Sequence, residues 1–311
     1  MKILLTGGAG FIGSYTARKL LASRKHELAL LLRRRTDTRR IRDVLLQSKV
    51  IVGDLADLAS SRQEIVNFRP EAVIHLAWRG VVNSARNDVE QDANVDQALE
   101  LVRTAYYAGA KNWIGLGSQA EYGPCSNRIN EQTSCRPTTH YGLAKLAAGR
   151  ETAALCGELG LRHAWLRLFS SYGPHDDPSW LIPYVALKLL RGERPSTTAG
   201  EQRWDYIYAA DAATAILAVT ENRNASGIYN LGSGTTATVR SIIERVRDLI
   251  DPSLSIGFGE IPYRVDQVMH LEADVARLHA LGWKPQIDLA EGLSRTVAWC
   301  RGFGGRALAA A

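Results

Sequence analysis

The sequence predicts an α/β protein in which a doubly wound parallel sheet carries a smaller mixed α/β lobe. Short apolar runs of strand length alternate with segments whose apolar residues recur at helical spacing. This alternation is typical of a parallel sheet covered by helices on both faces. After residue 170 it gives way to proline-rich and polar connections. With 311 residues and 46% hydrophobic composition, the chain can bury a sizeable core in one compact body or in two unequal lobes.

These patterns predict the following strands and helices, given in chain order. The first unit is a strand over 2–6, the helical segment FIGSYTARKLLAS and a strand over 27–32. Further strands are predicted over 49–54, 71–78, 112–118 and 163–168. The short strand WDYIYA, the helix DAATAILAVTE, the turn GIYNLGSG and two final helices, SIIERVRDLI and LAEGLSRTVAWC, complete the chain. We predict a sheet domain over 1–169 plus about 205–238, and a small lobe over about 170–204 and 239–311.

Charge and composition exclude several classes of function. The net charge is +6, but the cations are mostly scattered, and the one dense cluster is RRRTDTRR at 33–40. A nucleic-acid partner would need a broad basic stripe, so a small anionic ligand is the better expectation. HDDP, at 175–178, lacks the spacing of metal ligands, and no metal is predicted.

Other features indicate a cytoplasmic protein. The four cysteines show neither CxxC spacing nor a disulfide pattern, so reduced thiols are expected. Met1 leads directly into an apolar strand, which predicts no signal peptide, and no apolar run is long enough to cross a membrane.

A glycine-rich turn, TGGAGFIG, follows the first predicted strand and opens the first helix. Gly7, Gly10 and Gly13 stand where the chain must turn tightly, approach a pyrophosphate and pack the helix close to the strand. Phe11 and Ile12 begin that helix. This context predicts a Rossmann-type dinucleotide site; the alternative is a glycine turn that binds nothing.

The end of the second strand bears on which dinucleotide is bound. An acid there would hold the ribose 2′-hydroxyl, whereas Arg accommodates a 2′-phosphate. Leu32 stands at that position and is followed by Arg33 and Arg34, so NADP(H) is favoured over NAD(H). A solvated cationic loop is the alternative. Asp54 and Leu55 end the next strand at the same sheet edge, where a carboxylate can meet the adenine amino group.

Three polar residues point to chemistry. Tyr141 and Lys145 lie four apart on one predicted helix face, and a nearby ammonium favours a phenolate that can exchange a proton with a carbonyl or alcohol. Ser118 ends a strand 23 residues upstream. Ligands of open α/β sheets bind beyond such strand ends, so the glycine turn, Ser118 and Tyr141 are expected to converge on one crevice.

The chain resembles the extended short-chain dehydrogenase/reductase family, the NAD(P)-dependent epimerases, dehydratases and reductases of nucleotide-activated sugars. The motifs are TGGAGFIG at 6, GDL at 53, HLAW at 75, Asn94, GSQAEYG at 117, YGLAK at 141, LRLFSSYGP at 166, WDYIYAAD at 204, YNLGSG at 229 and LGWKP at 281. The resemblance implies that Ser118 and Tyr141 act on the sugar hydroxyl or ketone, and that Lys145 binds the nicotinamide ribose. It also assigns Leu76, Ala77 and Asn94 to the cofactor site.

Two positions bear on the reaction. The family's 4,6-dehydratases carry Asp and Glu directly after the catalytic hydroxyl residue, whereas Gln119 and Ala120 stand here. Neither exchanges a proton, so dehydration by that route is disfavoured. Glu121 is expected to point away from Ala120 and is not assigned the role of base. The arginines after Leu32 favour a reductase, which consumes NADPH, over an epimerase, which keeps NAD bound.

The resemblance therefore favours NADPH-dependent reduction of a nucleotide-linked 4-keto(-6-deoxy) sugar at C4, with Tyr141 as the proton donor. A 4-epimerase is the alternative, followed by a non-catalytic NADP-binding protein; the nucleotide, sugar and product stereochemistry stay open. Gln119 and Ser170 are candidate substrate contacts, and Arg264 and then Arg203 are candidates for the diphosphate. The resemblance also implies a homodimer through a four-helix interface built from helices around 94–108 and 141–157.

Overall fold

The computed structural model describes residues 1–81, 85–264 and 267–308. The strands, in chain order, are β1 (Lys2–Thr6), β2 (Glu27–Leu32), β3 (Lys49–Val52), β4 (Ala72–His75), β5 (Asn112–Ser118), β6 (Arg162–Leu168), β7 (Ser170–Tyr172), β8 (Ser196–Thr197), β9 (Arg203–Tyr208), β10 (Gly227–Leu231), β11 (Thr236–Thr238), β12 (Gly257–Phe258) and β13 (His270–Leu271). The α-helices are α1 (Phe11–Ala22), α2 (Arg42–Leu45), α3 (Arg62–Phe68), α4 (Ala93–Tyr107), α5 (His140–Glu158), α6 (Leu181–Leu190), α7 (Ala209–Glu221), α8 (Val239–Asp248), α9 (Ala276–Ala280) and α10 (Leu289–Leu308).

Seven strands form the main sheet, in the order β10-β6-β5-β4-β1-β2-β3. Every pairing is parallel; Thr6 of β1, for example, lies opposite Leu31 on one side and His75 on the other. The order reverses direction at β1, and a crevice opens beyond the carboxyl ends of strands at such a point. The predicted doubly wound parallel sheet is confirmed.

Helices cover both faces of this sheet, and the strand sequences explain why. Ile3 and Leu5 pack on the face that also buries residues of α1 and α7, whereas Leu4 packs on the face covered by α3 and α4. Successive strand side chains point to opposite faces. A strand buried on both faces has no polar side, which is why these strands read as continuous apolar runs.

A second sheet lies in the later part of the chain. Strand β9 pairs antiparallel with β11 and parallel with both β7 and β13. Helices α6, α8 and α10 share an apolar core with this sheet, including Val185, Ile242 and Leu293. The predicted domain boundary near 205 falls inside β9, whose pairings all lie in the second sheet. Within the described ranges, no helix is long and apolar enough to cross a membrane.

Candidate active site

A cleft of about 1070 Å³ runs from the carboxyl ends of the main-sheet strands to the second sheet. It is large enough for both a dinucleotide and a second ligand, since ligand pockets typically have about 300–1,000 Å³. All predicted site residues except Arg34 and Arg203 line it: Gly7, Gly10, Phe11, Ile12, Gly13, Arg33, Asp54, Leu55, Leu76, Ala77, Asn94, Ser118, Gln119, Tyr141, Lys145, Ser170 and Arg264. The fold thus brings these residues of distant sequence position together.

The glycine turn between β1 and α1 forms the floor of the cleft. Gly7 has a φ of +72°, and a Cβ there would lie 2.6 Å from the backbone nitrogen of Ala77. A Cβ on Gly13 would lie 2.0 Å from the Gly7 carbonyl oxygen. The N-cap residue of α1 is Gly10, which has no side chain, and residues 10–13 line the cleft, so the first backbone N–H groups and the positive end of the helix dipole lie at its edge. This cradle fits a pyrophosphate.

The loop after β2 borders one end of the cleft. Leu32 is buried, while Arg33 is exposed and lines the cleft. Arg34 instead lines a separate depression with Val50 and Val52. The carboxylate in this loop is Asp37, which also lines the cleft and forms an ion pair of 2.7 Å with Arg39.

The loop after β4 forms the opposite wall, and Asn94 holds it in place. Its Oδ1 accepts a hydrogen bond of 2.8 Å from the Arg79 N–H, and its Nδ2 donates to the Arg79 and Gln91 carbonyl oxygens. Asn94 is itself buried on α4. Its side chain therefore orients the wall that continues from Leu76 and Ala77.

Ser118 ends β5 and caps the short 3₁₀ turn Gln119–Glu121. Its Oγ accepts a hydrogen bond from the Ala120 N–H at 3.2 Å, and the Glu121 Oε1 accepts one from the Ser118 N–H at 2.8 Å. Glu121 is fully buried and also accepts hydrogen bonds from Trp165 and Arg167. Its carboxylate is directed into the protein and supports Ser118 from behind.

Tyr141 and Lys145 lie on the first two turns of α5, which begins with a hydrogen bond from the Gly142 N–H to the Thr139 side chain. Both are buried in the cleft wall. Lys145 Nζ donates to the Leu116 carbonyl at 2.6 Å and lies 6.0 Å from the centre of the Tyr141 ring. Burial lowers the pKa of Lys145 to about 7, with Glu121 acting in the opposite direction.

The expected fall in the pKa of Tyr141 does not occur in this structure. Burial raises the pKa of the phenol, and this effect exceeds the opposing influence of neighbouring groups. Those groups are the Arg86 guanidinium and the Ser118 side chain, which both favour the phenolate. The direction of this pKa shift could not be predicted from the sequence, because it depends on how completely the fold removes water from around the Tyr141 ring.

Arg86 is a cleft residue that sequence reasoning missed. Its guanidinium carbon lies 4.7 Å from the centre of the Tyr141 ring, and its carbonyl accepts the Tyr141 N–H at 2.8 Å. It lies in a connection without periodicity, and no short spacing links it to Tyr141. Trp78 completes this wall, with Lys145 Nζ 3.7 Å from its ring centre.

The second sheet supplies the other end of the cleft. Ser170 and Arg264 line it, as does Trp204. Arg203, one residue earlier on β9, is exposed outside the cleft and donates to Thr236 Oγ1 at 3.2 Å. Alternation along the strand places neighbouring side chains on opposite faces, so Arg203 and Trp204 cannot both face the cleft.

Asp176 and Gln202 also line this end of the cleft and were not predicted. Burial raises the pKa of Asp176 to about 7. Gln202 is 5% exposed, and its Oε1 has no hydrogen-bond partner within the described ranges. His75, by contrast, is a core residue whose Nδ1 lies 2.8 Å from Thr6 Oγ1. Among the described residues, no cluster of His, Cys, Asp and Glu is suited to a metal ion.

The sequence and the fold are both similar to those of known proteins. The sequence profile of the NAD dependent epimerase/dehydratase family matches residues 3–232. The UDP-glucose 4-epimerase of Corynebacterium glutamicum is 29% identical, and the match covers 100% of this chain and 99% of that protein. Among solved structures, the UDP-glucose 4-epimerase of Thermotoga maritima with UDP-glucose has a TM-score of 0.88 and 25% identity, covering 97% and 99% of the two chains. The Thermus thermophilus UDP-glucose 4-epimerase complex with NAD has a TM-score of 0.87 and 27% identity, covering 97% and 99%.

Proposed function

Because the chain belongs to the NAD-dependent epimerase/dehydratase family, we propose that it is an NADPH-dependent reductase of a nucleotide-linked 4-keto(-6-deoxy) sugar. It is an enzyme of the extended short-chain dehydrogenase/reductase type. The main support for the proposal is the set of groups that would surround the C4 oxygen of the sugar. Ser118 and Tyr141 present hydroxyls to the cleft, while the two positions after Ser118, Gln119 and Ala120, present no carboxyl group.

The chemistry divides between the cofactor and the chain. When bound, the reduced nicotinamide is the source of the hydride for C4. The Tyr141 phenol donates the proton that the C4 oxygen needs, and the Ser118 hydroxyl donates a hydrogen bond to the same oxygen. Lys145 would hold the nicotinamide ribose and would return a proton to Tyr141. Without a carboxyl group at 119 or 120, the site has no acid–base pair there to expel water from the sugar.

The choice of NADPH rests on the cofactor end of the cleft. The uncharged Leu32 side chain is buried, and Arg33 lines the cleft beside it. The carboxylate in the following loop, Asp37, forms an exposed ion pair with Arg39. An Arg at this point suits a 2′-phosphate. Asp54 and Leu55, with Leu76 and Ala77, would enclose the adenosine and nicotinamide parts.

The substrate is assigned to the second sheet. The relatives named above act on UDP-glucose, and one of the solved structures contains it, which supports a nucleotide sugar for this chain. Arg264 lines this end of the cleft and is our candidate for the diphosphate, and Trp204 offers a ring for a base. Gln202 Oε1 can accept a hydrogen bond from the bound nucleotide sugar. In this proposal the substrate lobe keeps the predicted bounds of about 170–204 and 239–311, which extend beyond the last described residue, 308.

A nucleotide-sugar 4-epimerase is the second candidate, favoured by full-length similarity to UDP-glucose 4-epimerases. An epimerase would use Ser118 and Tyr141 at the same C4 oxygen but would retain its dinucleotide between turnovers. The two candidates therefore differ in whether the nicotinamide is consumed.

The deciding experiment measures cofactor stoichiometry. The purified protein is denatured, and any released dinucleotide is identified; the protein is then supplied with NADPH or NADH and a dTDP- or UDP-linked 4-keto-6-deoxyglucose. We expect one NADPH oxidised per alcohol formed. Tightly retained NAD with interconversion of UDP-glucose and UDP-galactose would establish the epimerase instead.

A variant pair tests the cofactor preference. Arg33→Ala should raise KM for NADPH roughly 10- to 100-fold, because a hydrogen bond to a charged group contributes about 1.5–3 kcal/mol. KM for NADH should change little. Arg34→Ala is the matched control, since Arg34 lies outside the cleft. Equal effects of the two substitutions on NADPH would remove Arg33 from the cofactor site.

A homodimer through α4 and α5 is part of the proposal. Tyr107 at the end of α4 is 77% exposed, and Leu143 on α5 is 50% exposed. Apolar side chains on these two helices are suited to a four-helix interface. Sedimentation equilibrium of the parent and of Tyr107→Glu tests it, because a charge at the interface should shift the parent dimer toward monomer.

A further inference from the structure

We propose that Trp78 is a positioning residue for Lys145, and that the face of its indole ring holds the ammonium group in place beside Tyr141 and favours its charged form. The proposal rests on the function proposed above only in that Lys145 acts as an ammonium. Trp78 acts through Lys145 and is not assigned a contact with the substrate.

The ammonium group of Lys145 lies among aromatic rings. Its Nζ is 3.7 Å from the centre of the Trp78 ring, and it is 5.9 Å and 6.0 Å from the centres of the Trp165 and Tyr141 rings. A cation within about 6 Å of a ring centre is attracted by the electron-rich face of the ring, and tryptophan attracts it most strongly. The Trp78 ring, at the shortest of these distances, therefore contributes most to the attraction.

Lys145 needs such a partner because the fold buries its charge. The residue is 4% exposed, and its ammonium donates a hydrogen bond to the Leu116 carbonyl at 2.6 Å. Burial lowers the pKa of Lys145 to about 7. Glu121 is the carboxylate that opposes this shift, but its own ion pair is with Arg167. A ring face favours the ammonium without a second buried charge, and its effect is larger where water is excluded.

Hydrogen bonds fix the orientation of the Trp78 ring. Its Nε1 donates to Gln91 Oε1 at 2.8 Å. Gln91 is 2% exposed, and its Nε2 donates to the Gly80 and Ala85 carbonyl oxygens at 2.8 Å and 2.9 Å. The amide of Gln91 thus uses its oxygen and both of its N–H groups. The Trp78 ring also packs edge-to-face on Tyr141, with ring centres 6.2 Å apart and planes at 84°. The indole is therefore held in place independently of Lys145.

The other titratable groups near Lys145 do not take this role. Burial, together with the charge of Lys145, lowers the pKa of His75 to about 3, so its imidazole is neutral at neutral pH. Burial raises the pKa of Tyr141, so its phenol is also neutral before the reaction. Arg86, whose guanidinium carbon is 4.7 Å from the centre of the Tyr141 ring, adds positive charge. The Trp78 ring face is thus the contact in this group that favours the ammonium.

The test follows Lys145 by NMR in protein labelled with ¹³C at the lysine ε-carbons, without cofactor or substrate. Lys145→Met identifies the signal by its loss. In the parent, the ε-methylene protons of Lys145 should resonate upfield of those of the other lysines, because the ammonium lies 3.7 Å from the ring centre. In Trp78→Met this upfield shift should be lost. The pKa of Lys145, read from the ¹³C shift, should fall by about one unit, a tenfold lower ratio of ammonium to amine at a given pH.

Two further variants control this experiment. Trp78→Phe keeps an aromatic ring and should give a smaller fall in the pKa of Lys145, because phenylalanine attracts a cation less strongly. Trp180→Met removes another indole that lines the cleft, at the N-terminus of α6, and should leave both readings as in the parent. The melting temperature of each variant reports folding. If Trp78→Met does not fold, the parent spectrum and Trp78→Phe decide the question.

The turnover assay gives a second reading that a purely structural role would not change. Since less Lys145 stays protonated, the alkaline limb of kcat against pH should move to lower pH in Trp78→Met. An unchanged or raised pKa of Lys145 in folded Trp78→Met, or the lack of an upfield shift in the parent, would overturn the proposal. The NMR titration needs no substrate, so a shifted titration without NADPH oxidation would count against the proposed reaction and not against the role of Trp78.

Discussion

The Glu121 carboxylate and the Arg167 guanidinium form an ion pair in the protein interior, with Oε2 and Nε 2.6 Å apart. Their side chains are 0% and 4% exposed. The other carboxylate oxygen accepts the backbone N–H of Ser118, so the pair also holds in place a residue that lines the cleft. The same ion pair therefore affects both the stability of the fold and the position of Ser118.

Breaking the pair should destabilise the protein strongly. Arg167→Met leaves the buried Glu121 charge uncompensated, and such a loss costs about 3–5 kcal/mol. Urea unfolding measures it. The control is Arg62→Met, which removes an ion pair of the same 2.6 Å length to Glu100 whose side chains are 53% and 41% exposed. An exposed pair contributes about 0–1 kcal/mol. Similar unfolding midpoints for both variants would show that burial does not set the strength of this contact.

Gly13→Ala should abolish tight dinucleotide binding. The new methyl group would lie 2.0 Å from the Gly7 carbonyl oxygen, so the turn and α1 must separate and the pyrophosphate cradle opens. Gly157→Ala on α5 is the matched control, because nothing lies within 4 Å of its Cβ. Calorimetric titration with NADPH and NADH checks both variants. Parent-like affinity in Gly13→Ala would exclude the turn from the dinucleotide site.

Tyr141→Phe should lower kcat by about 10²- to 10⁴-fold, the usual contribution of a positioned general acid. The dissociation constant of the cofactor should stay close to that of the parent, because the ring is retained. Tyr15→Phe is the control: Tyr15 also precedes a lysine by four residues, but its phenol donates to the Pro174 carbonyl at 2.9 Å. Turnover should persist in that variant. Full activity in Tyr141→Phe would remove the phenol from the reaction.

Asp176 should make the stability of the protein depend on pH. Burial raises the pKa of its carboxyl from 3.8 to about 7, so between these values the folded protein keeps a proton that the unfolded chain releases. The contribution of this group to stability is present in acid and is lost as pH rises through about 7. Asp176→Asn has no carboxyl group to ionise here, so it does not lose this stability as the pH rises. Its melting temperature relative to that of the parent should therefore rise by several degrees between pH 4 and pH 8, at about 2–4 °C per kcal/mol for a chain of about this size.

The neighbouring Asp177 provides a control of opposite sign. Hydrogen bonds from Ser179 lower the pKa of its carboxyl, so this group stabilises the fold above its usual pKa and loses that contribution in acid. Asp177→Asn should therefore be slightly less stable than the parent at neutral pH and equally stable in strong acid. A parallel pH profile for the Asp176 and Asp177 variants would contradict the assignment of both groups.

The parallel sheet, the glycine turn and the family could be predicted from the amino-acid sequence alone. These features depend on periodicity and short spacings: continuous apolar runs for strands buried on both faces, and three glycines at fixed positions between a strand and a helix. The carboxyl end of β5 brings Ser118, and the first turn of α5 brings Tyr141, to one crevice as predicted, beyond strand ends that share one sheet edge.

The electrostatics of the site, by contrast, depend on contacts that form when the chain is packed. Arg86 reaches Tyr141 from a separate loop, and Glu121 meets Arg167 across 46 residues of sequence, contacts that no local pattern encodes. Pairing of β9 within the second sheet left Arg203 outside the cleft. The charge state of Tyr141 and Lys145 likewise depends on desolvation, which is a property of the packed fold rather than of residue spacing.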